Sequence, residues 1–515
     1  MNILSVKKKL IIGAAVLSVS NVIVKIFGFL FKIPLANLIG KEGMGYYGVA
    51  FQLFSAVFVI VAAGLPIAVT RLTSQRDKTD KTKFDIFSSG FVIFILLGVL
   101  GTLLTYFCAG LFVDAVNNKK ALICIWMLAP SVLFSAIECA VRSYNQGQNN
   151  LYPTAISQIF DSLFRMVFGF GIAYFLKTKG FPVYIAAAGA VLGVTIANVF
   201  SAFGLMVYQK ISSKKIKFKP NMKISKSIIK IALPITGGAV VLSVFGLLDT
   251  LFIMNRLNFA GFTSEQANGL YGAYTGYTLN IFHIPSIFTS SLVVSVFPVI
   301  AGQFYSNRTD NIIKTVNSAL KLCIVFALPF CFLFAVFPNE LLSIVYSRKD
   351  DVKIAADLLK LLSPAVVLVA ITSITSMYFA AIGKPHVSIF NSMFGCVIKL
   401  ALVYFMVGGK MNILGAPISS VICYGIIAFI EVFLLYRSLD TKPMFLKLFI
   451  FPLISAGIAG VCVKNILLVF VNNIHNIALI SIVFAVFSLI YVVLLILFKV
   501  LTIKEIKSLI FLKKI

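Results

Sequence analysis

Lys25 and Lys32 stand seven residues apart in an otherwise apolar stretch, KIFGFLFK, a spacing that puts both amines on one face of a helix. Two cations on one apolar face repel unless an anion or water lies between them. The pair therefore reads either as an anion-binding wall or as two amines snorkelling to separate interfaces. Asp161 and Arg165 are spaced i, i+4, which suits an intrahelical ion pair. That pair is either structural or leaves part of the guanidinium for an anion. Lys399 stands in the matching stretch of the second half with no acidic neighbour, and adds a third candidate for an anion cavity. Glu138 and Asp249 are carboxylates in apolar surroundings, candidates for ion pairing or for coupling to Na⁺ or H⁺. Glu431 and Lys464 share that setting without an assigned role. His283, beside Pro285, reads as a packed or hydrogen-bonded side chain in preference to a proton relay. Arg142 and Lys384 fall at turns and read as topology signals.

Several chemistries find no support. The eight cysteines are scattered, without a CxxC pair or a Cys/His cluster, so no zinc site or disulfide framework is indicated. No GxxxxGK[ST] loop occurs, which counts against ATP-driven pumping. No catalytic constellation is present, and the reading is of a protein that is not an enzyme and needs no cofactor.

The elements that hold these residues follow from composition. Of 515 residues, 60% are hydrophobic and only 12% charged, whereas a soluble domain carries roughly a quarter charged residues. The apolar residues come in runs of about 20, the length that crosses a hydrocarbon core of roughly 30 Å. The fold class is all-α, a polytopic membrane protein. Fourteen spans are predicted: 10–31, 46–70, 86–107, 121–141, 153–176, 182–208, 231–254, 270–301, 318–337, 356–382, 386–408, 413–436, 448–470 and 477–498. The N-terminal lysines and first apolar run imitate a signal peptide, but no small-residue cleavage site follows, and a retained helix is expected.

The net charge of +28, from 45 Lys+Arg against 17 Asp+Glu, is not read as nucleic-acid binding. The cations sit mainly in short loops, where they orient helices and meet anionic lipid. With the N-terminus inside, the inner loops gather Lys7–Lys9, the run from Arg71 to Lys83, Arg142, the stretch 210–230, Arg308, Lys314, Lys384, the stretch 437–447 and the tail 499–514. That bias predicts a multi-pass protein of the cell membrane with both termini cytoplasmic. The basic loop 210–230 separates halves of weak similarity: GMGYYGVAF and GLPIAV in the first, NGLYGAYTGY and VFPVIA in the second. Spans 1–6 (residues 1–209) and 7–12 (231–437) then form two six-helix lobes in parallel pseudo-repeat, and 438–515 holds two further spans and a basic tail.

Several segments resemble the multidrug/oligosaccharidyl-lipid/polysaccharide exporter superfamily, in particular its stage V sporulation protein B-like polysaccharide transporters, related to lipid II flippases. They are KIFGFLFKIPLANLIGKEGMGYYGVAF (25–51) with GLPIAVTRL (64–72), and RSYNQGQNNLYPTAISQIFDSLFRMVFGFGIAY (142–174). Weaker matches are GKPHVSIFNSMFGCVIKLALVY (383–404) and NILGAPISSVICYGIIAFIEV (412–432). The resemblance implies two lobes around a V-shaped central cavity and a lipid-linked sugar as cargo. It also implies that the span 1 cations and Ser157, Gln158 and Arg165 border the cavity. Lysines 25 and 32 stand where lipid II flippases usually carry arginines, so pyrophosphate would meet point charges in place of a bidentate fork.

The resulting expectation is alternating access, carrying an undecaprenyl-pyrophosphate-linked oligosaccharide or peptidoglycan precursor outward. The driving force would be the membrane potential or Na⁺ or H⁺. A monomer is expected, with wall-synthesis enzymes as partners. Two alternatives stand beside it: a multidrug cation antiporter of the same superfamily, and a non-transporting scaffold for wall or spore-coat assembly.

Overall fold

A computed structural model describes residues 3–75, 79–212, 218–306, 309–441, 449–470, 477–498 and 500. Only the backbone is described for 3–15, 18, 80–81, 464–470 and 477–481. The side chains of Lys7–Lys9 and Lys464, part of the loop 210–230, and the tail at 499 and 501–515 thus lie outside the described residues.

Among the described residues the regular structure is entirely helical. Lipid offers backbone groups no hydrogen-bond partner, and a helix satisfies them within one segment. The helices are α1 (Ile3–Ala62), α2 (Gly64–Thr73), α3 (Asp80–Ala115), α4 (Leu122–Leu128), α5 (Ser131–Gly147), α6 (Tyr152–Phe164), α7 (Phe170–Thr178), α8 (Val183–Ser212), α9 (Met222–Phe259) and α10 (Ser264–Gly272). They continue as α11 (Leu279–Phe282), α12 (Ser286–Tyr305), α13 (Thr309–Val336), α14 (Pro338–Val345), α15 (Lys349–Leu362), α16 (Ala365–Ala381), α17 (Pro385–Val407), α18 (Gly415–Ser438), α19 (Phe451–Phe470) and α20 (Ile477–Leu497).

Each predicted span has helical residues beneath it, but the divisions differ. Helix α1 has 60 residues, about 90 Å at 1.5 Å per residue, far more than one bilayer crossing. It covers the first predicted span and most of the second, and bends at Gly40, whose φ of 70° and ψ of −177° suit a residue without a Cβ. The predicted span 270–301 is broken. It runs through α10, a π-turn over Ala273–Thr278, and α11, then stops at His283 before α12. Pro285 lacks an N–H and cannot continue the ladder. His283 ends α11 as an exposed residue whose ring stands against that of Phe282, with 5.2 Å between centroids. The span 356–382 bends by 50° between α15 and α16, where Pro364 follows Ser363. Ten helices among the described residues are long and apolar enough to cross a membrane, eleven if that bent pair is one span. The fourteen expected spans exceed this because two merge in α1 and the described apolar parts of the last two, Phe451–Val463 and Ile482–Leu497, are short.

Two compact units emerge: Met1–Tyr277 with Val403–Ile413, and Thr278–Leu402 with Leu414–Ile515. In the first, Val61, Leu65, Val69, Phe84, Phe94, Val141, Tyr144 and Ile228 pack one apolar core contributed by α1, α2, α3, α5 and α9. Polar side chains lock its helices at chosen points. Asn118 donates to Asn268 at 2.8 Å, Asn268 donates to the Glu42 carbonyl at 2.8 Å, and Tyr277 donates to the Ala36 carbonyl at 2.9 Å. In the second unit α16 packs between α13 and α18, and α19 pairs with α20.

Candidate functional site

Pro153 opens α6, where its missing N–H costs nothing and its fixed φ suits a first turn. The helix runs regularly to Phe164 and then widens into a π-turn over Arg165–Gly169 before α7. Turns of this kind recur at functional sites. The extra residue is accommodated because α8 approaches closely: a Cβ built on Gly193 would lie 2.2 Å from the Gly169 nitrogen. Only a glycine at 193 leaves room for that backbone.

Arg165 stands at the start of this turn. Its Nη2 donates to Asp161 Oδ2 at 2.9 Å, one helical turn back. The Arg165 side chain remains 32% exposed against 15% for Asp161. Lys32 and Tyr47, both on α1, lie within electrostatic reach of Arg165. Lys32 is partly exposed and the Tyr47 ring is buried. Lys25 lies two turns before Lys32 on the same helix and is also partly exposed. Gln158, three residues before Asp161, keeps its Oε1 buried without a hydrogen-bond partner. The structure thus gathers Lys32, Arg165, Asp161 and Gln158 around one region of α1, α6 and the π-turn. Counting Glu138 and its partner Arg142, which border the group, three cations face two acids, which leaves a net positive charge able to hold an anion.

Glu138 also lies within electrostatic reach of Arg165 and Asp161, whereas Asp249 is not among these groups. Glu138, on α5, is paired with Arg142 through a contact of 2.8 Å between Nη2 and Oε2. Arg142 Nε donates to Ser157 Oγ at 2.9 Å, and its Nη2 reaches Ser201 Oγ at 3.4 Å. Arg142 is therefore tied into a buried network, not simply displayed at a turn as its position suggested. Ser157, part of the pattern that the resemblance put at a cavity edge, is occupied by this arginine. The signal was present: Glu138 and Arg142 have the same i, i+4 spacing as Asp161 and Arg165. Asp249 is partly buried on α9 of the first unit. Lys399 is partly exposed on the part of α17 that belongs to the second unit. Sequence reasoning missed Tyr47, which carries no spacing signal and reaches Arg165 only through the packing of α1 on α6 and the π-turn.

Known proteins share this architecture. The sequence profile described as "polysaccharide biosynthesis protein" matches residues 10–304, and that described as MatE matches 272–405. Stage V sporulation protein B of Bacillus subtilis (strain 168) is 24% identical over 428 residues, 81% of each chain. A solved structure of the lipid II flippase MurJ, in an inward-closed conformation, superposes with a TM-score of 0.74 at 18% identity, covering 94% of this chain and 98% of that one. An inward-facing multidrug resistance transporter of the MATE family gives a TM-score of 0.69 at 16% identity over 81% of this chain and 94% of its own. This chain accordingly belongs to the polysaccharide biosynthesis protein family and has the fold of the lipid II flippase and multidrug resistance transporter structures it resembles.

Proposed function

We propose that this transporter is a flippase for an anionic lipid-linked sugar, an undecaprenyl-pyrophosphate-linked oligosaccharide or peptidoglycan precursor, moved from the cytoplasmic to the outer leaflet. One observation carries the reading: Lys32 and Arg165 lie within electrostatic reach of each other, with Asp161 the acid paired to Arg165. Like charges held this close in a membrane protein are costly alone and favourable around an anion. A pyrophosphate head entering such a region exchanges water for fixed cations, which offsets the desolvation that otherwise keeps it in its leaflet. Lys25, two turns along α1, extends the positive face, and Gln158 offers its amide to sugar or phosphate oxygens. Lys399 supplies the cation of the second lobe in an alternating-access cycle between spans 1–6 and 7–12.

The relatives support the cargo class, since one of the similar structures is of a lipid II flippase and the family profile is of polysaccharide biosynthesis. Both termini are placed in the cytoplasm by the loop cations, with anionic lipid as the natural contact of those loops. Each negative charge carried outward against an inside-negative potential of 100 mV gains about 2.3 kcal/mol, so the potential itself can drive export.

The test is reconstitution in liposomes with a fluorescent undecaprenyl-pyrophosphate oligosaccharide, its leaflet read by an impermeant quencher. Flipping that survives Lys32→Ala with Arg165→Ala would sink the cationic-face reading. A second reading, multidrug export, is favoured by the MatE match over 272–405 and by the fold shared with a multidrug resistance transporter. Uptake of a cationic dye into the same vesicles, with no lipid flipping, would select it.

A further inference from the structure

The second unit holds a carboxyl group that neither the cationic face nor the ion pairs use. Glu431, on α18, is fully buried. Ser376 Oγ on α16 donates to it, at 3.0 Å from Oε1 and 3.1 Å from Oε2, and Thr375 Oγ1 makes a close hydrogen bond to Oε2. Ser388 and Asn391 of α17 close the remaining side. Ser388 and Asn391 are 8% and 6% exposed, and Ser388 Oγ and Asn391 Oδ1 are buried without a hydrogen-bond partner. Two neighbouring helices thus direct hydroxyl and amide groups at one acid of a third. The ionisable residues of the surrounding helices are Asp310, Lys314, Lys321, Cys323 and Cys331 on α13; Lys349, Asp350, Asp351, Lys353, Asp357 and Lys360 on α15; Tyr378 on α16; His386, Cys396, Lys399 and Tyr404 on α17; and Cys423, Tyr424, Tyr436 and Arg437 on α18. Among the described residues none of these is a polar partner of Glu431. The Tyr378 hydroxyl bonds to Ser438 instead.

An ionised carboxylate here would be buried in a membrane protein with no cation to balance it, a costly state. The hydrogen inventory supplies the alternative. The amide nitrogen of Asn391 donates to the Ile427 carbonyl at 2.9 Å, which commits one of its two hydrogens. Thr375 has a single hydroxyl hydrogen, and its oxygen lies 3.2 Å from the carbonyls of both Ile371 and Thr372. With that hydrogen turned to the backbone, Thr375 can accept. A neutral acid therefore finds an acceptor for its proton, Thr375, and a donor, Ser376, for its other oxygen.

We infer that Glu431 is a proton-binding site of the second unit, occupied when α16, α17 and α18 pack as they do here. One proton joins one carboxylate oxygen, and no other co-reactant is required. Loss of the proton leaves an uncompensated charge among these three helices, so proton occupancy and their packing are linked. The site does not depend on the identity of the cargo.

The experiment is infrared spectroscopy of the full-length transporter in lipid nanodiscs, comparing wild type, Glu431→Gln and Asn391→Ala. At neutral pH the wild type should show a protonated-carboxyl stretch that is missing from Glu431→Gln and shifted in frequency in Asn391→Ala. Replacing choline chloride by sodium chloride at fixed pH should leave it in place. Identical carboxyl regions in wild type and Glu431→Gln would overturn the inference. So would a band that sodium abolishes, which would mark a metal cation site. Should Glu431→Gln fail to fold, the Asn391→Ala comparison decides alone: an unshifted band overturns the assignment.

Discussion

Arg142→Ala is the substitution whose consequence follows most directly from geometry. The Glu138 side chain is 4% exposed and that of Arg142 16%, with 2.8 Å between their charged atoms. Removing the arginine strands a buried carboxylate and deprives Ser157 and Ser201 of a partner. Breaking a buried ion pair in this way costs about 3–5 kcal/mol, and the residual exposure of Arg142 places the cost near about 3 kcal/mol. Part of that loss is the stranded charge. Glu138→Gln added to Arg142→Ala removes the charge and leaves mainly lost neutral hydrogen bonds, about 1 kcal/mol each. The double variant should therefore be more stable than Arg142→Ala by about 1 kcal/mol. Denaturant titration in micelles can follow this through Trp126, the one tryptophan, which stacks on Tyr106 at 5.4 Å within the first unit. A double variant no more stable than the single one would refute the argument, because the cost could not then lie in the unpaired carboxylate.

Arg165→Ala should behave oppositely. The pair is more exposed, so stability falls by about 1 kcal/mol, while binding of a pyrophosphate-bearing lipid, read by thermal shift or fluorescence titration, weakens tenfold or more, as expected for one lost charge-assisted contact of about 1.5–3 kcal/mol. Gly193→Ala must displace the π-turn at Gly169 and should lower stability by about 1–3 kcal/mol, whereas Gly171→Ala, whose added carbon meets nothing within 4 Å, should not; denaturant titration compares the two. Gly40→Ala forces a left-handed φ on a residue with a Cβ and should cost about 1–3 kcal/mol in the same titration.

The class of fold was readable because apolar run length is a direct consequence of bilayer thickness. The ends of spans were less so. A run of apolar residues reports that a segment is buried in lipid, but not that its helix is continuous. The break at His283–Pro285 and the π-turn at Arg165 depend on local backbone competition that composition averages away. Prolines marked two of the irregularities, at 285 and 364. The π-turn at Arg165 had no such marker, since what permits it is Gly193, a glycine on another helix. At the site, the charged residues were legible individually because each is expensive in an apolar run. Their grouping was not, because Lys32 and Arg165 are far apart in sequence and meet only through the packing of α1 on α6 and its π-turn.

Glu138–Arg142 and Asp161–Arg165 show why spacing alone could not assign roles. Both are i, i+4 pairs on adjoining spans, and each holds one contact of 2.8–2.9 Å. The difference lies in what surrounds the arginine. Arg142 has its remaining donors turned to Ser157 and Ser201. Arg165 retains twice the exposure of Arg142, 32% against 16%, and its Nε is buried without a partner. A guanidinium bonded to several helices holds them together; one bonded only within its own helix does so less. Lys32 strengthens the distinction, since its positive charge raises the electrostatic cost of an empty site at Arg165 and lowers that of a site holding an anion. The same motif thus occurs twice in one chain, completed by serines at Arg142 and left with greater exposure at Arg165.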